Sequence, residues 1–150
     1  MQKLKINDII KRIERQETFE ATAFDNSFSI KINRYVPYCC TAIHDGSNFR
    51  EQLKKKISLD EFQRWFEEDP HTGEFITAMP ITISGLDSRF EYDLNRRPED
   101  CIYEEAWGNK VWNRPLTPTE KQTSKQKHFN FYKVVYAIVS KLEELYGSCV

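Results

Sequence analysis

VPYCCTAIHDG, residues 36 to 46, runs through apolar and β-branched side chains and then breaks at a histidine, an aspartate and a glycine. A short, nearly continuous apolar run suits a central strand covered on both faces, since a half-exposed strand would alternate apolar with polar residues. His44, Asp45 and Gly46 stand where that strand runs out. Neutral imidazole is a common metal ligand, and glycine allows a tight turn or close backbone approach. The same histidine could equally cap a turn or bond to main chain.

On the N-terminal side, TFEATAF and FSIKINRY flank Asp25-Asn26-Ser27, turn chemistry between two β-rich runs, and predict a hairpin. Ile6, Ile9, Ile10 and Ile13 stand at helical spacing over residues 6–16. On the C-terminal side, SLDE at 58–61 has the form of a capping box, with Ser58 as N-cap and Glu61 three residues on. The helix it starts would carry Leu59, Phe62, Trp65 and Phe66 on one face and stop before Pro70. ITISGLDSRFEYDLN at 81–95 reads as one or two strands with Gly85 as a bend. In its second half Phe90, Tyr92 and Leu94 share one face and Arg89, Glu91, Asp93 and Asn95 the other. Residues 96–118 read as a long ordered loop, because they hold two of the three tryptophans. Thr117, Pro118 and Glu120 form a strong helix start. Phe131, Val135, Ile138, Val139, Leu142 and Leu145 carry an apolar stripe from there to Gly147. Small and β-branched residues after Gly147 look like the entry to a further strand.

The chain has 150 residues, with 39% hydrophobic and 30% charged, which predicts one domain with a sizeable core. A net charge of −1 gives no basic field for nucleic acid or an acidic membrane surface. No stretch reaches the roughly 18 apolar residues of a spanning segment, and the N-terminus has no signal-peptide core, so the expected compartment is the cytoplasm. The four cysteines form no C-x-x-C pair and read as reduced thiols.

Three groups of residues hold potential chemistry. Glu67, Glu68 and Asp69 end a helix at its negative pole, which costs roughly 0.3 to 1 kcal/mol per exposed charge unless a cation or an arginine is near. Arg89, Asn95 and Arg96 are either a solvated strand face or, if that face lines a pocket, a guanidinium fork and an amide suited to a carboxylate. His128 stands four residues before Tyr132, on the same helical face. His71 reads as a surface residue.

HDG after an apolar strand, EEDPHT after an aromatic helix, SRFEYDLNRRPEDCIYEEAWGNKVWNRPL and KHFNFYKVVYAIVSKLEELYG together resemble the N-formylglutamate amidohydrolase family, from about residue 35 onward. The resemblance implies a three-layer α/β/α fold with a mixed sheet, related to zinc carboxypeptidases. It also implies a metal-dependent hydrolase of amide bonds in N-acyl, carboxylate-bearing small molecules. On it His44 is a zinc ligand, Asp69 or next Glu68 is another, and Arg89, Asn95, Arg96 and His128 hold the substrate. In that family the strand after the long helix ends in an Asp-His-Ser type motif supplying another histidine, and this sequence reaches Val150 before one. The expectation is therefore a truncated domain, inactive alone, whose exposed sheet an oligomer or partner chain would cover. The alternatives are a non-catalytic carboxylate-binding module, or an interaction domain whose loop around Trp107 and Trp112 meets another protein.

Overall fold

A computed structural model describes residues 1–150. Alternation in two strands sets the faces of its sheet. β1 (Gln2–Leu4) leads into helix α1 (Ile6–Glu14), and β2 (Phe19–Ala23) returns parallel to β1. β3 (Phe28–Ile32) then pairs antiparallel with β2, so the predicted hairpin forms. At its turn the Asp25 carboxylate accepts bonds from the Ser27 N–H at 3.1 Å and hydroxyl at 2.6 Å. Phe19, Ala21, Ala23, Phe28, Ile30 and Ile32 are buried on one face, while Glu20 lies opposite Lys31 on the other. β1 is only three residues long and has no period for sequence reasoning to detect.

The strand order is β1-β2-β3-β5-β4, with β4 at Cys40–Ala42 and β5 at Ile81–Gly85. This corrects the reading of VPYCCTAI: it supplies a three-residue edge strand, and the strand inside the sheet is β5, antiparallel to β3 and parallel to β4. Ile81, Thr82 and Ile83 are all buried, so β5 is the run covered on both faces. Pro37 has no N–H to contribute to a ladder, which shortens its run. Just before β4, the Val150 N–H donates to Pro37 O at 3.0 Å and Val150 O accepts from the Cys39 N–H at 2.9 Å.

α4 (Pro118–Tyr146) has the expected ends: Thr117 and Glu120 form a reciprocal capping box, and Gly147 closes it at φ 80°. Its buried face is Phe131, Val134, Ile138 and Leu142, turned slightly from the expected stripe so that Val135, Val139 and Leu145 flank it. α4 and α1 pack on the apolar face of the sheet; Ile9 and Ile13 are fully buried there. On the polar face Lys31 reaches across to the Thr77 carbonyl, just past a 3-10 turn at Thr72–Ile76. The chain is thus α/β with a mixed five-stranded sheet. No helix is long and apolar enough to cross a membrane.

A second apolar cluster gathers Phe49, Leu53, Leu59, Phe90, Val111, Trp112 and Leu116 beside α2 (Glu51–Lys54) and α3 (Glu61–Glu67). Trp112 is 1% exposed and donates its Nε1–H to Tyr103 O at 2.6 Å, which makes it core rather than contact surface. The loop is ordered around a two-residue hairpin between β6 (Glu105–Ala106) and β7 (Asn109–Lys110). Two further expectations are corrected. α3 is capped by Asp60 with Gln63, and the Ser58 hydroxyl donates instead to the Lys110 carbonyl. α3 buries none of its own residues, so Phe62, Trp65 and Phe66 stay exposed. The second strand of 81–95 does not form either. The Ser88 hydroxyl accepts from the Phe90 N–H, the Ser88 carbonyl from the Glu91 N–H, and Asp93 Oδ1 from the Asn95 N–H, so local acceptors consume the donors a ladder needs.

Candidate metal and carboxylate site

His44 and the turns after β5 meet at the carboxyl ends of two parallel strands, where open α/β sheets place their ligand crevices. The loop after His44 is stitched to the turn after Gly85: Asn48 N–H donates to Leu86 O at 3.0 Å and Ser88 N–H to Asn48 O at 2.8 Å. Gly46 makes this approach feasible, since a Cβ there would overlap the Leu86 carbonyl. The glycine of HDG is therefore a packing requirement that brings His44 to Asp93.

The imidazole lies between two carboxylates. Nε2 is 2.8 Å from Asp93 Oδ1, and Nδ1 is 3.3 Å from Asp69 Oδ2. Asp93 is fully buried and serves as a hub. It accepts from His44, from the Tyr103 hydroxyl, from the Asn95 N–H at 2.6 Å, and from Arg89 Nη2 at 2.8 Å and Nε at 3.3 Å. Burial alone would raise its carboxyl, but the bonds from His44, Tyr103, Asn95 and Arg89 outweigh it and hold the group well below the usual range. An ionised Asp93 only accepts, so Nε2 carries a proton, and Nδ1 faces an Asp69 oxygen. A proton or a metal ion belongs between Nδ1 and that oxygen, and a 3.3 Å separation is within reach of a shared proton as well as of one ion touching both atoms. A carboxylate on the far nitrogen of the imidazole is also the usual support of a metal-bound histidine. The donor set thus fits two corners of a divalent-cation site. No group of three or more His, Cys, Asp or Glu side chains is arranged as a full cage.

The remaining candidates divide. Glu68 is 4% exposed and turned to the Ser88 hydroxyl and to Arg64 Nη1 at 3.3 Å, away from the imidazole; burial raises its carboxyl despite both partners. Arg89 has its fork engaged by Asp93, by Asp69 Oδ2 at 3.2 Å and by Glu67 O at 3.0 Å, and its guanidinium lies 5.0 Å from the Trp107 ring centroid. Asp69 (φ 44°) and Trp107 (φ 50°), two of its neighbours, are both in the left-handed region that non-glycine residues avoid. Asn95 and Arg96 are exposed on the lip, and no carboxylate pairs with Arg96. His128, 2% exposed, is packed beneath them with Nε2 on Arg96 O at 2.9 Å and its ring 5.0 Å from that of Tyr132. Its Nδ1 is buried without a partner.

Sequence reasoning did not single out Asp93, which the alternating pattern placed on a face left open between solvent and a pocket. A usable signal was its spacing, four residues after Arg89 and two before Asn95, the reach of an ion pair and of an Asx turn. It also missed a buried charge network under the site. Glu91 Oε1 accepts from Arg50 Nε at 2.6 Å and lies 3.6 Å from Lys127 Nζ, while Lys127 Nζ is 2.9 Å from Asp87 Oδ2, which also takes the Tyr92 hydroxyl at 2.7 Å. Arg50 Nη2 continues to Ser124 Oγ at 2.7 Å, tying α4 to the turns that carry Asp93.

No protein-family profile matches the sequence, and no curated protein matches it. Among solved structures, the crystal structure of N-formylglutamate amidohydrolase from Ralstonia eutropha JMP134 superposes with a TM-score of 0.70 at 15% identity. The match covers 82% of this chain and 54% of that one, so the chain spans about half the length of that enzyme. Over that span the chain has the fold of the Ralstonia amidohydrolase.

Proposed function

We propose that the chain contributes to the site of a cytoplasmic metal-dependent hydrolase that cleaves amide bonds in N-acyl or N-formyl amino-acid-like substrates bearing a carboxylate. The observation that carries the reading is His44, oriented by buried Asp93 and facing Asp69 at 3.3 Å, beside an exposed Arg96 that forms no ion pair with a carboxylate of the chain. His44 and Asp69 would hold a divalent cation, zinc by their chemistry. When bound, zinc would polarise the amide carbonyl and lower the pKa of a water toward neutrality. Asp93 keeps the proton on Nε2 and so keeps Nδ1 free to donate its lone pair. Arg96, with Asn95 beside it, orients the substrate carboxylate, while Arg89 holds Asp69 and Asp93 in place. A catalytic zinc takes three protein ligands, so the proposal requires a third donor besides this pair, and the 150 residues alone are expected to bind the cation weakly and not to turn over.

One observation favours the non-catalytic alternative: Arg89 Nη1, 3.2 Å from Asp69 Oδ2, already supplies positive charge to that carboxylate. Calorimetric titration with zinc, and separately with N-formyl-L-glutamate, distinguishes the two. On the hydrolase reading, His44→Ala and Asp69→Asn abolish the zinc heat, whereas Arg96→Gln preserves it and weakens the carboxylate ligand about tenfold or more. Zinc binding unchanged in His44→Ala overturns the metal assignment, and ligand affinity unchanged in Arg96→Gln overturns the carboxylate assignment.

A further inference from the structure

A cavity of about 430 Å³ opens beside Asn95 and Arg96, walled by Pro98, His128, Tyr132 and Tyr136. That volume suits a molecule of amino-acid scale. Three of the wall's rings form a ladder along one side of α4 at four-residue spacing, with centroids 5.0 Å apart for His128 and Tyr132 and 6.3 Å for Tyr132 and Tyr136. The ladder runs from buried to exposed: His128 is 2% exposed and Tyr136 67%. Phe129, also at the cavity, is 58% exposed. Two large aromatic rings left in water at the mouth of a concave site offer apolar and π surface to whatever enters it.

The charges are as informative as the rings. Arg96 pairs with no carboxylate of the chain, while Arg97 is matched by Asp100 at 3.3 Å. The lining therefore offers one guanidinium, that of Arg96, with no carboxylate bonded to it, and no lysine lies among its residues. A ligand with two carboxylates would leave one without a cation and seat it against tyrosine faces, whose π electrons repel anions. A ligand with one carboxylate and one aromatic group meets a matching partner at each end.

Resting on the reading that Arg96 holds the substrate carboxylate, we propose that the site takes an N-acylated aromatic amino acid or an equivalent aryl carboxylate, with its ring stacked along Tyr132 and Tyr136. Each tyrosine face contributes up to roughly tenfold in affinity. The proposal concerns binding and needs no metal.

Calorimetry on the 150-residue chain tests it with N-acetyl-L-phenylalanine, N-formyl-L-glutamate and N-acetyl-L-phenylalaninamide, which lacks the carboxylate. The phenylalanine ligand is expected to bind about tenfold or more tighter than the other two. Tyr136→Ala, at an exposed position that does not threaten folding, should cut its advantage over N-formyl-L-glutamate by up to about tenfold and leave the latter's affinity unchanged. Arg96→Gln should weaken both carboxylates and leave the amide unaffected. If N-formyl-L-glutamate binds as tightly as the phenylalanine ligand and still depends on Arg96, the aromatic assignment is wrong and the carboxylate reading survives. If no ligand depends on Arg96, the carboxylate reading itself falls. Sedimentation showing a dimer that Tyr136→Ala dissociates would assign the rings to self-association and overturn the proposal.

Discussion

Lys127→Met tests whether the charge network beneath the site is balanced. Methionine keeps most of the lysine stem and removes the ammonium, so packing is largely preserved. Two cations, Arg50 and Lys127, face two anions, Asp87 and Glu91, in a region where all but Arg50 are buried. Without the ammonium, Glu91 retains Arg50, but Asp87 keeps only the Tyr92 hydroxyl. Breaking a buried pair by removing one partner costs about 3–5 kcal/mol, against a total stability of about 5–15 kcal/mol. At about 2–4 °C per kcal/mol for a chain of this size, the melting temperature should fall by roughly 6–20 °C. The double variant Lys127→Met with Asp87→Asn removes the orphaned anion and should recover about 2 kcal/mol or more. The deficit also has a pH signature. Burial already raises the Asp87 carboxyl despite Lys127 and Tyr92, and loss of Lys127 raises it further. A raised carboxyl stabilises the fold fully below its ordinary value near 3.8 and loses that contribution as pH rises through the folded value. The variant's deficit should therefore shrink as pH falls toward that range. Urea denaturation followed by tryptophan fluorescence, repeated across pH, reads the loss, the recovery and the pH dependence, and a thermal melt reads the temperature shift. A single-variant loss under about 1 kcal/mol, or a double variant no more stable than the single, would refute the argument.

Three further outcomes follow from particular contacts. Gly46→Ala should destabilise by roughly 1–3 kcal/mol in the same assay, because its methyl group would press on the Leu86 carbonyl; a neutral result would mean the loop does not lie against β5. Asp60→Ala should cost about 1 kcal/mol by loss of the α3 cap, whereas Ser58→Ala should leave the helix start intact; equal losses of helical circular dichroism would restore the 58–61 box. Glu120, held down to about 2 chiefly by Lys56 and then by the Thr117 N–H, is stabilised in its ionised form. That contribution is complete above its ordinary value of 4.5 and is lost as pH falls toward 2, so Glu120→Gln should flatten the acid limb of a melting-temperature profile; an unchanged limb would show that the pair contributes nothing.

What could be read in the sequence was local. α4 was legible because its start, apolar face and glycine stop lie within its own residues, and the β2–β3 hairpin because its turn carries its own chemistry. The order of strands was not, since two apolar runs compete for the inside of the sheet, and only pairing with β3 decides that Ile81–Gly85 takes it. Overlapping capping signals at 58–61 and 60–63 differ only in which frame the tertiary structure accepts. The alternation of residues 89–95 imitated a strand, because burial of Glu91 and Asp93 depends on Arg50, Lys127 and His44, all more than thirty residues away in the chain. His44 stood out by residue type and Asp69 only as one of an acidic run with Glu67 and Glu68, whereas Asp93 acquires its role only from the geometry that converges on it.

α3 buries none of its own side chains, and it ends at the segment that delivers Asp69. His44 and Asp93, by contrast, sit on backbone cross-linked to the sheet. The two carboxylates around the imidazole are therefore held differently: Asp93 by turns stitched to the sheet, Asp69 through the Arg89 fork, whose Nη1 bonds both the Glu67 carbonyl and the Asp69 carboxylate. One guanidinium thus joins the end of α3 to the hub beneath the histidine, and α3, which contributes no buried side chain of its own, keeps its place at the site through that arginine and the buried Glu68.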